Sequence, residues 1–150
     1  MNLDKKVPPP IVTLIFATLI YLTAKYSYQF HFAYQSIISL IIAFIGICII
    51  SVAIVQFKQF KTTVNPLKPE LASTLVTNGI FKLSRNPMYL GMLLIIIGLW
   101  VNTGAVLGFV LVPCFIAYLN YFQIAPEERA MGQLFADSYN AYCQQVRRWI

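Results

Sequence analysis

Two short segments hold most of the residues in this chain that are able to do polar chemistry. The first is Arg85-Asn86-Pro87-Met88-Tyr89, which gathers a cation, an amide and a phenol. Pro87 suits the first position of a helix and Asn86 the cap before it, so these groups surround a helix N-terminus, whose free N–H groups favour anions. The second is Pro126-Glu127-Glu128-Arg129, with two adjacent carboxylates where a helix opens and acids complement its dipole. Each segment alone has a purely structural explanation as a cap with surface charges. Together they put two carboxylates, several tyrosines and an arginine on one side of a small protein, a surplus for a mere anchor. Metal chemistry is not indicated. The single histidine, His31, stands between Phe30 and Phe32 with no second ligand nearby, and Cys48, Cys114 and Cys143 form neither a CxxC spacing nor a bridge pattern.

The elements that must position these residues are membrane helices. Of 150 residues, 59% are hydrophobic and only 11% charged, and the mean hydropathy is +0.70. Such a composition excludes a disordered tail, a disulfide scaffold and a soluble nucleotide-binding domain. Apolar runs predict spans over about 11–24, 36–57, 87–101 and 105–122. Asn102-Thr103-Gly104 supplies turn chemistry between the last two, which form a hairpin. Beyond them, Met131, Leu134, Phe135, Tyr139, Tyr142, Val146 and Trp149 recur at helical spacing among polar residues, predicting an amphipathic helix on the membrane surface. The expected fold is therefore all-α: an integral membrane protein of four transmembrane helices, including a C-terminal helical hairpin, with a cytosolic amphipathic C-terminal helix, in one domain.

Charge orients this bundle. Eleven Lys plus Arg stand against five Asp plus Glu. With the N-terminus in the cytosol, every cation except Lys25 falls inside, and so do all five acids. Both termini are then cytosolic, and a bacterial inner membrane is the expected location. The basic balance marks a side of the membrane rather than a nucleic-acid partner. Membrane lipids are the expected surroundings, and the Gly104/Gly108 spacing allows close helix contact, with a homodimer as one use of it.

Leu75-Val76-Thr77-x-Gly79, then Arg85-Asn86-Pro87-x-Tyr89-x-Gly91, then Glu127-Glu128 followed by Phe135-x-x-x-Tyr139-x-x-Tyr142 and Val146-x-Arg148 resembles the isoprenylcysteine carboxyl methyltransferase family of membrane enzymes, to which phospholipid N-methyltransferases are related. The likeness covers residues 62–150 and implies S-adenosylmethionine as methyl donor. By the same resemblance, the donor's contacts fall on Ser73, Thr74, Leu75, Val76, Phe81, Asn86, Pro87, Met88, Tyr89 and Glu127. Arg85 and Glu128 are the candidate catalytic residues, Arg85 to pair with a carboxylate and Glu128 as a base for an amine. The chain departs from the family's pattern at four places. Asn86 replaces a histidine, Gln123 stands where an arginine serves substrate, Ala136 replaces a glycine, and Arg147-Arg148-Trp149 replaces a more proline-rich ending.

The implied reaction is methyl transfer to a lipophilic acceptor, a lipid or a lipophilic small molecule, at the cytosolic membrane face. Carboxyl O-methylation of the isoprenylcysteine type is the first expectation. Phospholipid N-methylation of the phosphatidylethanolamine type is the alternative, and a non-catalytic membrane interaction module is a third reading from another class.

Overall fold

A computed structural model describes residues 7–60 and 73–150. Lys5, Lys6, Lys61, Lys68, Asp4 and Glu70, which contribute to the charge argument, lie outside the described residues, as do positions 62–72 of the resemblance. The chain forms α1 (Pro9–Tyr26), α2 (Gln35–Gln59), a 3-10 turn (Gly79–Lys82), α3 (Pro87–Thr103), α4 (Gly108–Leu119), a π-turn (Asn120–Ile124) and α5 (Ala125–Gln145). No strand occurs among the described residues, apart from one isolated bridge between Gln29 and Ala105. Three helical stretches, Pro9–Tyr26, Gln35–Gln59 and Gly108–Gln145, are long and apolar enough to cross a membrane, and α3 is a shorter apolar helix. Leu14, Leu40, Phe44 and Phe109 are among the large apolar side chains that face outward, where lipid rather than water is their natural solvent.

Prolines start two of these helices: α1 and α3 each carry one in the first turn, where its missing N–H costs nothing. Gly104 ends α3 in the left-handed conformation at φ 64°, and its N–H closes the helix on the Trp100 carbonyl. α3 runs two residues past the expected end at 101, because Thr103 bonds its hydroxyl back to Trp100 and continues the last turn. The closest helix pair is α2 and α3. A Cβ on Gly91 would come within 2.6 Å of the Gly46 carbonyl oxygen and 2.5 Å of Ile50, so the two backbones touch only because both positions are bare. Below them Ile20, Ile96, Phe115, Leu119 and Ile124 are fully enclosed and form the centre of the bundle.

The Gly104/Gly108 spacing is used inside the chain. A Cβ on Gly108 would fall 1.9 Å from the Trp100 ring, and one on Gly104 would fall 2.2 Å from the Phe30 carbonyl. Small residues here let the hairpin close on itself.

The end of the chain departs most from expectation. The fourth span does not stop at 122 to be followed by a separate helix opening at Pro126. Instead the chain stays helical through the π-turn, whose last bond runs from the Ala125 N–H to the Asn120 carbonyl. The wider turn eases the clash a proline ring makes with the carbonyl four residues back, so Pro126 is accommodated without a break. The real interruption is at Ala136, with φ 41° and ψ −115°. A straight helix would put Glu128 and Arg148 about 30 Å apart at 1.5 Å per residue. They are in hydrogen-bond contact. The chain therefore reverses at Ala136, and residues 137–149 form an arm that folds back over the entry of α3.

A positive φ on an L-residue with a Cβ costs about 1 kcal/mol or more. Ala136→Gly removes that strain at an exposed position, and we expect it to stabilise the protein by up to about 1 kcal/mol after the entropy of glycine is set against it. A higher Tm in detergent checks this. A lower one means that the side chain at 136 is needed for packing.

Candidate functional site

The first segment is positioned from three sides. Gly79 adopts φ 59°, and a Cβ there would collide with the Gln56 amide, so the loop lies directly on the end of α2. Gln56 Oε1 accepts the Ile80 N–H at 3.3 Å. Phe81 is buried in a second apolar cluster with Ala53, Val76, Tyr139, Tyr142 and Val146, and Leu75 and Met88 pack against it. The Phe81 ring meets Phe57 edge-on at 5.0 Å. The Tyr142 hydroxyl donates to the Phe81 carbonyl at 2.6 Å, fixing the folded-back arm to this turn. Tyr142 belongs to the motif read from the sequence but not to the expected donor contacts, and neither Gln56 nor the arm's reversal is among the residues and features read from the sequence. Only the glycine-to-alanine departure at 136 hinted at the last of them.

The arm is tied to the entry of α3 by a dense set of polar contacts. Arg85 donates through one terminal nitrogen to the Cys143 carbonyl at 3.2 Å and the Val146 carbonyl at 3.1 Å, and through the other to Glu128 Oε1 at 2.8 Å. Its backbone N–H donates to the Arg147 carbonyl at 3.0 Å. The Arg148 carbonyl accepts from the Ser84 hydroxyl at 3.3 Å and from Asn86 Nδ2 at 3.0 Å. The Arg148 guanidinium grips Glu128 at both carboxylate oxygens. That hydrogen bonding to Glu128 raises the proton affinity of Arg148 above its ordinary value. Trp149 donates to Asn120 Oδ1 at 3.2 Å across the gap to the π-turn.

The structure thus brings Arg85, Asn86 and Glu128 into one network, with Arg85 and Glu128 engaged by each other. Pro87 is buried at the start of α3, and Leu75, Val76, Phe81 and Met88 line the apolar cluster beside it. Tyr89 is buried in the main core one turn further in, with the Glu127 carboxylate as a neighbour. Ser73 and Thr74 are exposed where the described segment begins.

The buried Tyr89 hydroxyl has the Glu127 carboxylate beside it as an acceptor, while two other buried polar atoms, Arg85 Nε and Gln123 Oε1, lack a hydrogen-bond partner. A buried polar group left in this way costs about 1–3 kcal/mol, so each calls for a partner. Gln123 is 1% exposed, and its amide nitrogen donates to the Val7 carbonyl at 2.8 Å. That bond fixes the amide's orientation and leaves an acceptor oxygen turned to the interior. The unpaired set comprises one N–H donor and one acceptor, with the Tyr89–Glu127 pair adding a hydroxyl and a carboxylate. It matches the functional groups of a nucleoside amino acid such as S-adenosylmethionine, with its carboxylate, ammonium and ribose hydroxyls. Phe81, Leu75, Val76 and Met88 belong to one apolar cluster, whose ring and side chains would suit an adenine.

A different recess, of about 570 Å³, lies at the other end of α2 and α3, lined by His31, Phe32, Tyr34, Gln35, Ser36, Ile37 and Asn102. Gln35 closes its floor by donating to the Val101 carbonyl at 2.7 Å and accepting from the Phe32 N–H at 3.2 Å. Among the described residues no group of three or more His, Cys, Asp or Glu side chains is placed to hold a metal ion.

An all-helical membrane bundle with a polar network at one end, where two separated motifs meet, defines the class to which comparison with known proteins assigns a family. The sequence matches the family model described as phospholipid methyltransferase over residues 34–138, and the chain belongs to that family. It is similar to a protein of Haemophilus influenzae described as uncharacterized, 46% identical over 66 residues, which are 42% of this chain and 100% of that protein. No solved structure matches.

Proposed function

We propose that the protein is an S-adenosylmethionine-dependent methyltransferase that modifies a lipophilic acceptor at the inner face of the membrane. The observation that carries this reading is the convergence of residues 75–89 with residues 123–149, joined by the Arg85–Glu128–Arg148 network and containing the unpaired buried atoms Arg85 Nε and Gln123 Oε1. When bound, S-adenosylmethionine supplies a methyl group on a sulfonium, open to in-line displacement. What the chain must add is placement of the acceptor and exclusion of water. The apolar walls from Phe81, Val76 and Met88 serve the second task. Glu127 would accept from the donor's ammonium or ribose hydroxyls; Tyr89 lies beside it, and Asn86 is held in place through the Arg148 carbonyl.

The family description and Gln123 both favour an amine as acceptor. A buried amide oxygen prefers a ligand that carries N–H or O–H, and it is repelled by a carboxylate. The carboxyl O-methylation expected first from the motifs has an observation on its side as well. Arg85 Nε is a buried donor without a partner, suited to an incoming carboxylate. Incubating the purified protein with methyl-labelled donor and a bacterial lipid extract separates the two. Label in an amine headgroup supports the first, base-labile methyl ester the second, and no transfer to any lipid contradicts the enzyme reading.

A further inference from the structure

We infer that Arg148 is a positioning residue of the donor site and that the arm it belongs to, residues 137–149, is the element that closes over bound donor; this rests on the function proposed above. The unpaired atoms Arg85 Nε and Gln123 Oε1 have almost no accessible area, so a ligand reaches them only when something covering them moves. The arm lies over this end of the bundle: its Cys143 and Val146 carbonyls take the Arg85 guanidinium, and its Trp149 bonds Asn120 in the π-turn that carries Gln123. It hinges at a single strained residue, Ala136, with no other non-helical residue inside α5. Its far end, from Arg147 onward, is held chiefly by hydrogen bonds and ion pairs, with Trp149 packed against the main core, while its nearer part is anchored by the buried Tyr139, Tyr142 and Val146.

Arg148 is the point where this latch meets the site. Its carbonyl accepts from Asn86 Nδ2 and thereby sets which way that amide faces. Its guanidinium takes both oxygens of Glu128, the neighbour of Glu127 on α5. One residue therefore orients an amide on α3 and a carboxylate on α5, from the two segments that the donor has to bridge. The Arg148 side chain is 38% exposed while Glu128 and Arg85 are 18% and 13% exposed. The outer arginine is accordingly the one that is able to let go, while the inner pair persists. Release of Arg148 frees the Ser84 hydroxyl and the Asn86 amide together and opens the entry of α3.

The test uses the full-length protein in detergent, with S-adenosylhomocysteine as the probe. Arg148→Ala should weaken its binding about tenfold, the size expected for loss of a coupled polar network. The KM for S-adenosylmethionine should rise by a similar factor with kcat changed less than twofold, and Arg148→Lys, which keeps the charge and one bond to Glu128, should recover part of the loss. Hydrogen exchange across residues 137–149 should slow when the probe binds the wild-type protein. Unchanged affinity in Arg148→Ala, or arm exchange indifferent to the probe, overturns the proposal. If Arg148→Ala does not fold, the exchange measurement on the wild type still decides. Failure of the wild-type protein to bind the probe at all is a separate outcome, which removes the methyltransferase reading on which the proposal stands.

Discussion

Arg85→Ala is expected to be the most destabilising single substitution at this end of the bundle, by on the order of 3 kcal/mol. The side chain is 13% exposed and links α3 to both halves of the reversed helix through the Cys143 and Val146 carbonyls and Glu128. Truncation leaves those two carbonyls short of a donor and Glu128 with Arg148 as its remaining guanidinium partner. The cost comes from the two carbonyls left without their donor and from halving the guanidinium contacts of a largely desolvated Glu128. The arm should loosen first, so proteolysis or hydrogen exchange across 137–149 should accelerate before the bundle melts. Arg85→Lys keeps the charge but not the fork, and should recover less than half of the lost stability. A Tm within a degree or two of wild type for Arg85→Ala would mean that the arm is held by its apolar contacts alone.

Glu127→Gln is expected to have the largest effect on function without a matching loss of stability. A charge-assisted hydrogen bond to a ligand contributes about 1.5–3 kcal/mol, so donor affinity should fall by roughly 10- to 100-fold. The replacement keeps volume and an acceptor, and α5 loses only one of two acids in its first turn. Tyr89→Phe is the companion test. Tyr89 is 5% exposed within the main core, so an alanine there would open a cavity and confuse folding with binding, whereas phenylalanine removes only the hydroxyl beside Glu127. Calorimetry with S-adenosylhomocysteine, alongside melting curves, separates the effects. Equal affinity in Glu127→Gln and the wild type would make Glu127 a helix-dipole residue and no more.

Much of this arrangement is legible in the residues themselves. An uncharged apolar run over 36–57 matches α2 at 35–59, and Pro87 with Asn86 marks the start of α3 to the residue. The paired motifs also point to the end of the bundle where Arg85, Asn86 and Glu128 meet. What stays hidden has a common cause. Alanine is the strongest helix former, so apart from the family's glycine at this place nothing local announces that the chain reverses at Ala136. The reversal is imposed by Tyr142 reaching the Phe81 carbonyl and by Val146 entering the apolar cluster, contacts between residues some sixty positions apart. Arg148 reads as a headgroup anchor for the same reason, since its partner Glu128 lies twenty residues away on what looks like one continuous helix. Pro126 reads as a helix start, yet the π-turn before it carries the helix straight through, and sequence periodicity does not register a one-residue change of pitch. Gln123 reads as a departure from a family pattern, but its anchoring to Val7 depends on the start of α1 lying beside the end of α4.

Equilibrium binding of S-adenosylhomocysteine to the purified wild-type protein, in a detergent that preserves its melting transition, bears on the central claim most directly. Saturable binding of one ligand per chain, abolished or much reduced in Glu127→Gln, is the result predicted here. A folded protein that yields no heat and no ligand-induced rise in Tm at millimolar ligand would contradict it, and would leave the polar network at the entry of α3 as a clasp for the C-terminus alone.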